Sequence, residues 1–487
     1  MRGHLARWIE IFQRSTGNPA FIALFILCAL PSGIVTAMIT PPGQSPDEYH
    51  HLGRAEGLLH GAVLGGRKQG IDPTNGQYGW MAGVKVDAGL WQASNAPVTE
   101  MDNRPVVTTA DFLADRAVLP DHHRVFVNIP NTVEYFPAAY VPATLGLALG
   151  LALHAPPYAC ILLARLFMLA AFLTLGVLTL WITAYGEAAL FTVLILPMSL
   201  FLASTVNQDG VLIGMACLAC AALTRGTKGF RLLALVLMVL FLCAKPPYIL
   251  LLSVFLLPLS APGFWRRVRD VALASLPVFL WGALISVTVV IPFYRPAYLP
   301  GPLYTGDRTV PMSTTHPAIN FHILLAQPSR LITLPWQTCV NLGSTVLNGA
   351  IGHLGNSQMV LPDFYYHLWY IALAVAFTGL AFTPRPQADL PPKAGLNFLF
   401  VAVLLPVIYW WLLLTFYVDW TRVGMDTIGG VQGRYLLPLM PFLLLAIPGL
   451  RCRCKLHPLV PAIPSILLGL GDVAYLPMKL VWNFYLH

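Results

Sequence analysis

Hydrophobic positions in this 487-residue chain come in unbroken runs rather than on alternating faces. "PAFIALFILCALPSGIVTAMIT" (19–40) and "RLLALVLMVLFLCA" (231–244) are two of them. Such runs approach the roughly 20 apolar residues that a helix needs to cross the hydrocarbon core of a bilayer. Similar runs predict spans near 160–182, 190–205, 210–223, 248–261, 271–293, 363–382, 396–416, 435–450 and 459–477. The pattern therefore predicts an all-α polytopic membrane protein, residues 1–487 forming a single integral membrane domain with about 11 transmembrane helices. Two long polar stretches interrupt the runs. Residues 41–157 are rich in turns, as in "GIDPTNGQYG" and "ASNAPVTEMDNRP". Residues 294–362 contain "INFHILLAQPSRLITLPWQTCVNLGSTVLNGAIGHLG", amphipathic enough to lie on a membrane surface.

The run at 136–153 decides the topology. If it crosses, the basic collar "RGTKGFR" falls outside. If it re-enters or lies along the interface, "RGTKGFR" and "FWRRVR" both fall inside, where Lys and Arg accumulate. The second count is selected: 136–153 is an interfacial or re-entrant helix, the N-terminus is cytoplasmic, and both polar stretches are outer loops. "MRGHLARWIEIFQRSTGN" resembles the charged region of a signal sequence, but the run after it is long and lacks a cleavage site. The first span is thus read as uncleaved.

Composition agrees. Only 10% of residues are charged, against roughly 25% in soluble domains. The formal charge of +8 sits in short collars beside apolar runs, such as "RWIEIFQR" and "RCRCK". That is an anionic-leaflet signature and no nucleic-acid surface, since no basic stripe carries interleaved aromatics. The cysteines point to no disulfide framework. The CxxC of "CLAC" (217–220) reads as helix filler, and only Cys339 falls in a segment placed outside.

Four polar clusters land at outer ends of spans: "SPDEYHH", "VNQDG", "KPPY" and "DWTRVGMDTIGGVQGRY". Ionisable groups at membrane depth are rare and mark function, so the clusters point to a shared cavity. Each also has a plainer reading. Ser45, Pro46 and Glu48 fit a capping box, with Asp47 complementing the helix dipole. Asp209 fits a helix cap after Asn207. Lys245 fits a snorkelling side chain and Arg434 a terminal anchor. Asp47, His51 and Arg54 share one helix face by their spacing of four and three. His122 and His123 read as solvated loop.

"PPGQSPDEYHHLGRA", "VNQDG", "KPPY" and "QGRYLLPLMP", in this order, resemble a family of bacterial polytopic membrane proteins of unknown function, itself similar to the GT-C glycosyltransferases. The resemblance spans about residues 20–450. It implies transfer of a sugar from a polyprenyl-phosphate donor to a glycan, lipid or protein acceptor of the cell envelope, on the periplasmic side. Asp47 and Glu48 hold the place of the family's catalytic acid in the first outer loop. Lys245 and Arg434 match the basic residues that hold the carrier phosphate, with His51, Arg54, Asp209 and Tyr435 as further substrate-binding candidates. No cofactor is expected. Some relatives use a divalent metal and others do not, and no carboxylate set here is dense enough to require one. The rival readings are a transporter or flippase of a lipid-linked saccharide and a non-catalytic partner in polysaccharide assembly.

Overall fold

A computed structural model describes residues 18–71, 78–95, 99–101, 104–121, 123–258, 263–291, 301–304, 315–382, 394–446 and 456–486. It is mostly helical. Six helices are long and apolar enough to cross a membrane: Pro19–Ile39, Pro157–Ile182, Phe264–Thr288, Asp363–Ala381, Gly395–Asp419 and Val460–Tyr485. The first begins where the Asn18 side chain accepts from the Ala20 N–H. Phe21, Phe25 and Cys28 are buried while Leu27, Leu30, Ile34 and Met38 are exposed. Both faces are apolar, as expected of a helix that meets protein on one side and lipid on the other. Phe25 meets Phe172 of Pro157–Ile182 at 6.2 Å between ring centres. Gly176 makes room there, since a Cβ on it would run into the Phe25 ring.

The other predicted spans are shorter or broken. The run at 190–205 forms two helices, Glu187–Ile195 and Pro197–Ala203. Leu196 is extended between them, because a residue before proline is forced out of the helical region. The described part of the run at 248–261 lies mostly in the 3₁₀ segment Pro246–Leu256 and that of the run at 435–450 in two 3₁₀ turns, Gly433–Leu436 and Met440–Leu445, while 259–261 and 447–450 lie outside the described residues. Gln208–Thr224 and Lys228–Ala244 are regular helices of 17 residues each. Residues 136–153 contain the turn Pro137–Tyr140 and the helix Val141–Ala152, which packs on Pro157–Ile182.

The first polar stretch corrects the all-helical expectation. Strand Tyr78–Asp87 pairs antiparallel with Gly66–Ile71 on one side and Arg124–Asn128 on the other. Ala82, Val84 and Val86 alternate inward and join Val127, Ile129, Val133 and Val289 in a small second core. Helix Glu48–Leu59 lies on this sheet, with Gly57 against Val84. Arg67 donates to the carbonyls of Ser286 and Val290, at 2.8 and 2.6 Å, and Trp281 donates to that of Glu134 at 3.1 Å. The sheet and its helix are thus tied to the end of the span Phe264–Thr288. In the second stretch, helix Arg330–Gly352 buries Leu334, Thr338, Val346 and Ala350 and exposes Ile332, Trp336, Val340 and Leu347.

Candidate functional site

The chain leaves its first span through a turn, residues 40–47, held by one buried ion pair. Arg165 sits inside Pro157–Ile182, where a bare cation would be costly. It donates to both carboxylate oxygens of Glu48, at 2.7 and 2.6 Å, and to the carbonyls of Ala37, Thr40 and Pro41. Glu48 also accepts from the N–H groups of Val206 and Gly43, at 3.0 and 3.1 Å. Ser45 meets the Thr205 hydroxyl, and Asn207 donates to the Pro46 carbonyl. The predicted capping box is therefore absent. Its glutamate is the counter-ion of Arg165, and the N-cap position of helix Glu48–Leu59 is Asp47, whose side chain makes no capping bond.

Asp47 has φ of +57°, in the left-handed region that Asp tolerates better than most residues. Its carboxylate accepts from Asn131 Nδ2 at 3.2 Å and pairs with Arg434 Nη2 at 3.3 Å. Arg434 Nε lies 3.5 Å from Asp209 Oδ2, and Lys245 Nζ lies 2.7 Å from Asp209 Oδ1. Four charges from four distant stretches thus alternate in sign: Asp47, Arg434, Asp209, Lys245. The sequence placed these residues at span ends, and the structure brings them together.

Local structure explains each position. Asn207, not Asp209, caps Gln208–Thr224, accepting from the Asp209 N–H at 2.8 Å and leaving the Asp209 carboxylate to the cations. Lys245 closes Lys228–Ala244 just before Pro246, and its ammonium lies over the rings of Tyr435 and Tyr135 at 5.0 and 5.9 Å. It does not snorkel to solvent. Arg434 follows Gly433, whose backbone packs on Gly349 and Ala350 so closely that a Cβ would overlap them. The Arg434 side chain is only 5% exposed, so it is no terminal anchor. Its Nη1 makes no hydrogen bond among the described residues. Tyr435 stacks on Phe416 at 4.9 Å, and its carbonyl accepts from the Tyr248 hydroxyl.

The remaining candidates divide. His51 is buried, its Nδ1 2.6 Å from the Tyr140 hydroxyl and its ring parallel to that of Tyr135. Burial pushes its pKa down to about 3 against the pull of Asp47 and Asp209, so the ring is neutral at physiological pH. Burial works to raise the Asp47 carboxyl too, but Arg434, His51 and His50 outweigh it and hold the group below the usual range. Arg54 shares no ligand-facing role: it is fully buried and spends its guanidinium on the carbonyls of Ala62, Val63 and Tyr135. His123 is exposed, and His122 lies outside the described residues, as do Cys452 and Cys454. Asn131, Tyr135 and Tyr140 were missed in the sequence because nothing charged marks them. Glu134 was missed beside them. Burial and then the charge of Asp419 raise it to about 7.

Among the described residues no group of three or more His, Cys, Asp or Glu is arranged to hold a metal ion. The donors do not suit a divalent cation, because Arg434 lies between the two carboxylates that would have to share it. A cavity of about 490 Å³ beside helix Pro317–Ala326 is lined by none of the four charged residues.

Helices of membrane length around a chain of alternating charges define a polytopic membrane protein with a polar site at one end of its bundle. Residues 30–443 match the family described as "Predicted membrane protein (DUF2142)", and the chain belongs to that family. No curated protein matches it. Among solved structures it is similar to ArnT from Cupriavidus metallidurans in the apo state. That match has 13% identity and a TM-score of 0.32, covering 95% of this chain and 78% of that one.

Proposed function

We propose that the protein is a glycosyltransferase of GT-C type, moving a sugar from a polyprenyl-phosphate donor to a cell-envelope acceptor on the periplasmic face of a bacterial inner membrane. The observation that carries this reading is the chain Asp47, Arg434, Asp209, Lys245, with a buried guanidinium nitrogen left free of hydrogen bonds among the described residues. A lipid-linked donor keeps its tail in the bilayer and its phosphate at the interface, so its site belongs at helix ends. The reading takes the predicted topology with it: about eleven crossings, a cytoplasmic N-terminus, and 41–157 and 294–362 as outer loops of one membrane domain.

In this scheme Asp47 accepts the proton of the attacking hydroxyl as its oxygen bonds the sugar's anomeric carbon, a role worth about 10²–10⁴ in rate. The bond from that carbon to the phosphate oxygen breaks, its electron pair leaving with the lipid phosphate. Arg434 and Lys245 stabilise that anion, Arg434 by a two-pronged contact and Lys245 as a point charge. Asp209 positions both cations. His51, neutral and fixed by Tyr140, supports the face that Asp47 occupies, and Tyr435 walls the cations. Glu48 takes no chemical step here, since both its oxygens are engaged with Arg165 and backbone N–H groups.

The test is sugar transfer from a polyprenyl-phosphate donor by the purified protein across donor concentrations. Arg434→Ala and Lys245→Ala are expected to raise the donor KM at least about tenfold. One charge pair at 4 Å is worth about 4 kcal/mol before desolvation at an effective dielectric near 20. Arg434→Lys is also expected to be impaired, because an ammonium lacks the planar fork. Wild-type kinetics in all three would contradict a phosphate-binding role.

A further inference from the structure

The four charges sum to zero. Asp47 and Asp209 balance Arg434 and Lys245, and His51, the titratable ring buried against them, is neutral. A neutral cluster offers a phosphate little net attraction unless one of its own carboxylates lets go. We propose that the incoming lipid phosphate displaces Asp47 from Arg434, so that the base is set free by donor binding and not before. This rests on the reading above that a phosphate-bearing lipid binds here.

Geometry says which carboxylate leaves. Asp209 is 9% exposed at its side chain and held from two sides, by Lys245 at 2.7 Å and by Arg434 at 3.5 Å. Asp47 is 40% exposed at its side chain and meets one cation, at 3.3 Å. Asp47, once released, can be solvated where it stands, whereas Asp209 would lose one of its two cations at a position that water hardly reaches. Arg434 has a nitrogen to spare. Its Nη1 makes no hydrogen bond among the described residues, and Nη2 is the nitrogen that Asp47 occupies. A phosphate that takes both nitrogens gains a bidentate contact that one carboxylate oxygen does not give.

The consequence is ordered chemistry. Once displaced, Asp47 keeps Asn131 as hydrogen-bond donor and His50, His51 and Tyr49 as neighbours, but loses its cation. Its proton affinity then rises, which makes it a stronger base only while the donor phosphate is in place. After transfer the proton sits on Asp47, and a neutral carboxyl does not compete for Arg434. Losing that proton to water restores the competitor and helps to expel the spent lipid phosphate.

The experiment measures binding of farnesyl phosphate, which carries no sugar, to the full chain in nanodiscs. Asp47→Asn is expected to bind it about fivefold or more tightly than wild type, the ratio for removing a partly exposed competing ion pair. Arg434→Ala should bind it at least about tenfold more weakly than wild type. Calorimetry near pH 5 in two buffers of different ionisation heat should show wild type taking up more protons on binding than Asp47→Asn does. If wild type binds and Arg434→Ala does not, but Asp47→Asn binds no more tightly and proton uptake is equal, the displacement is refuted while the phosphate site stands. If wild type binds no better than Arg434→Ala, the phosphate site itself falls and the displacement with it. Should Asp47→Asn fail to fold, Asp47→Ser takes its place as the reference, because the phosphate's own proton release is common to both proteins and only the difference in uptake reports on Asp47: greater uptake by wild type supports displacement and equal uptake refutes it.

Discussion

Two adjacent acids show how far neighbours in sequence diverge in role. Asp47 reaches the cation chain half exposed, while Glu48 turns inward to Arg165, 117 positions away. The motif "PDE" displayed both carboxylates but gave no means of separating them, because the deciding partner lies in another span. Its spacing also fitted a capping box for Glu48, a local solution that a buried arginine overrides. The divergence is measurable. Glu48→Ala leaves Arg165 with no counter-ion at membrane depth and is expected to cost about 3–5 kcal/mol, the usual result of breaking a buried pair from one side. A thermal-unfolding scan in detergent should therefore put Glu48→Ala well below wild type and Asp47→Asn close to it. Equal midpoints for Glu48→Ala and wild type would remove the turn-holding role.

Elements carry these residues by exploiting their ends. Lys245 stands where Pro246 stops a helix, Asp209 is released by the Asn207 cap, and Arg434 rides on a 3₁₀ turn pressed against helix Arg330–Gly352. The hydropathy pattern marked the ends of four long spans to within about three residues, since those depend on runs of residue types, but Phe264–Thr288 is shifted towards the N-terminus of the predicted 271–293 and Val460–Tyr485 runs past the predicted end at 477. It failed for the sheet, whose outer strands have only 6 and 5 residues and whose middle strand, "YGWMAGVKVD", alternates clearly only at "VKV". It also gave no hint that 435–450 would form 3₁₀ turns, because both helix types share the same composition. The tight approach at Gly433 yields a prediction. Gly433→Ala places a methyl group against the Gly349–Ala350 backbone, so the turn must shift and carry Arg434 with it. The expected outcome is a loss of about 1–3 kcal/mol in stability, typical of overpacking, together with weaker donor binding. An unchanged melting midpoint and donor KM would show that the turn adapts without moving the cation.

At the scale of the whole molecule, the long apolar helices fix the protein in a membrane, and polar contacts fix one end of the bundle. Tyr485 Oη donates to the Ile39 carbonyl, so the last span closes beside the exit of the first. The site lies there because membrane interiors tolerate charge only where it is paired or buried in protein. Clustering at span ends made the region legible from sequence. The alternation of charge through Arg434 was not, since it depends on four segments far apart in the chain. The proposed role of Asp47 as base in sugar transfer is tested by the rate of sugar release from a polyprenyl-phosphate donor by Asp47→Asn beside wild type, with both proteins matched for melting midpoint. The expected result is a loss of about 10² or more in kcat, the range for removing a general base. Full transfer by a folded Asp47→Asn would contradict it.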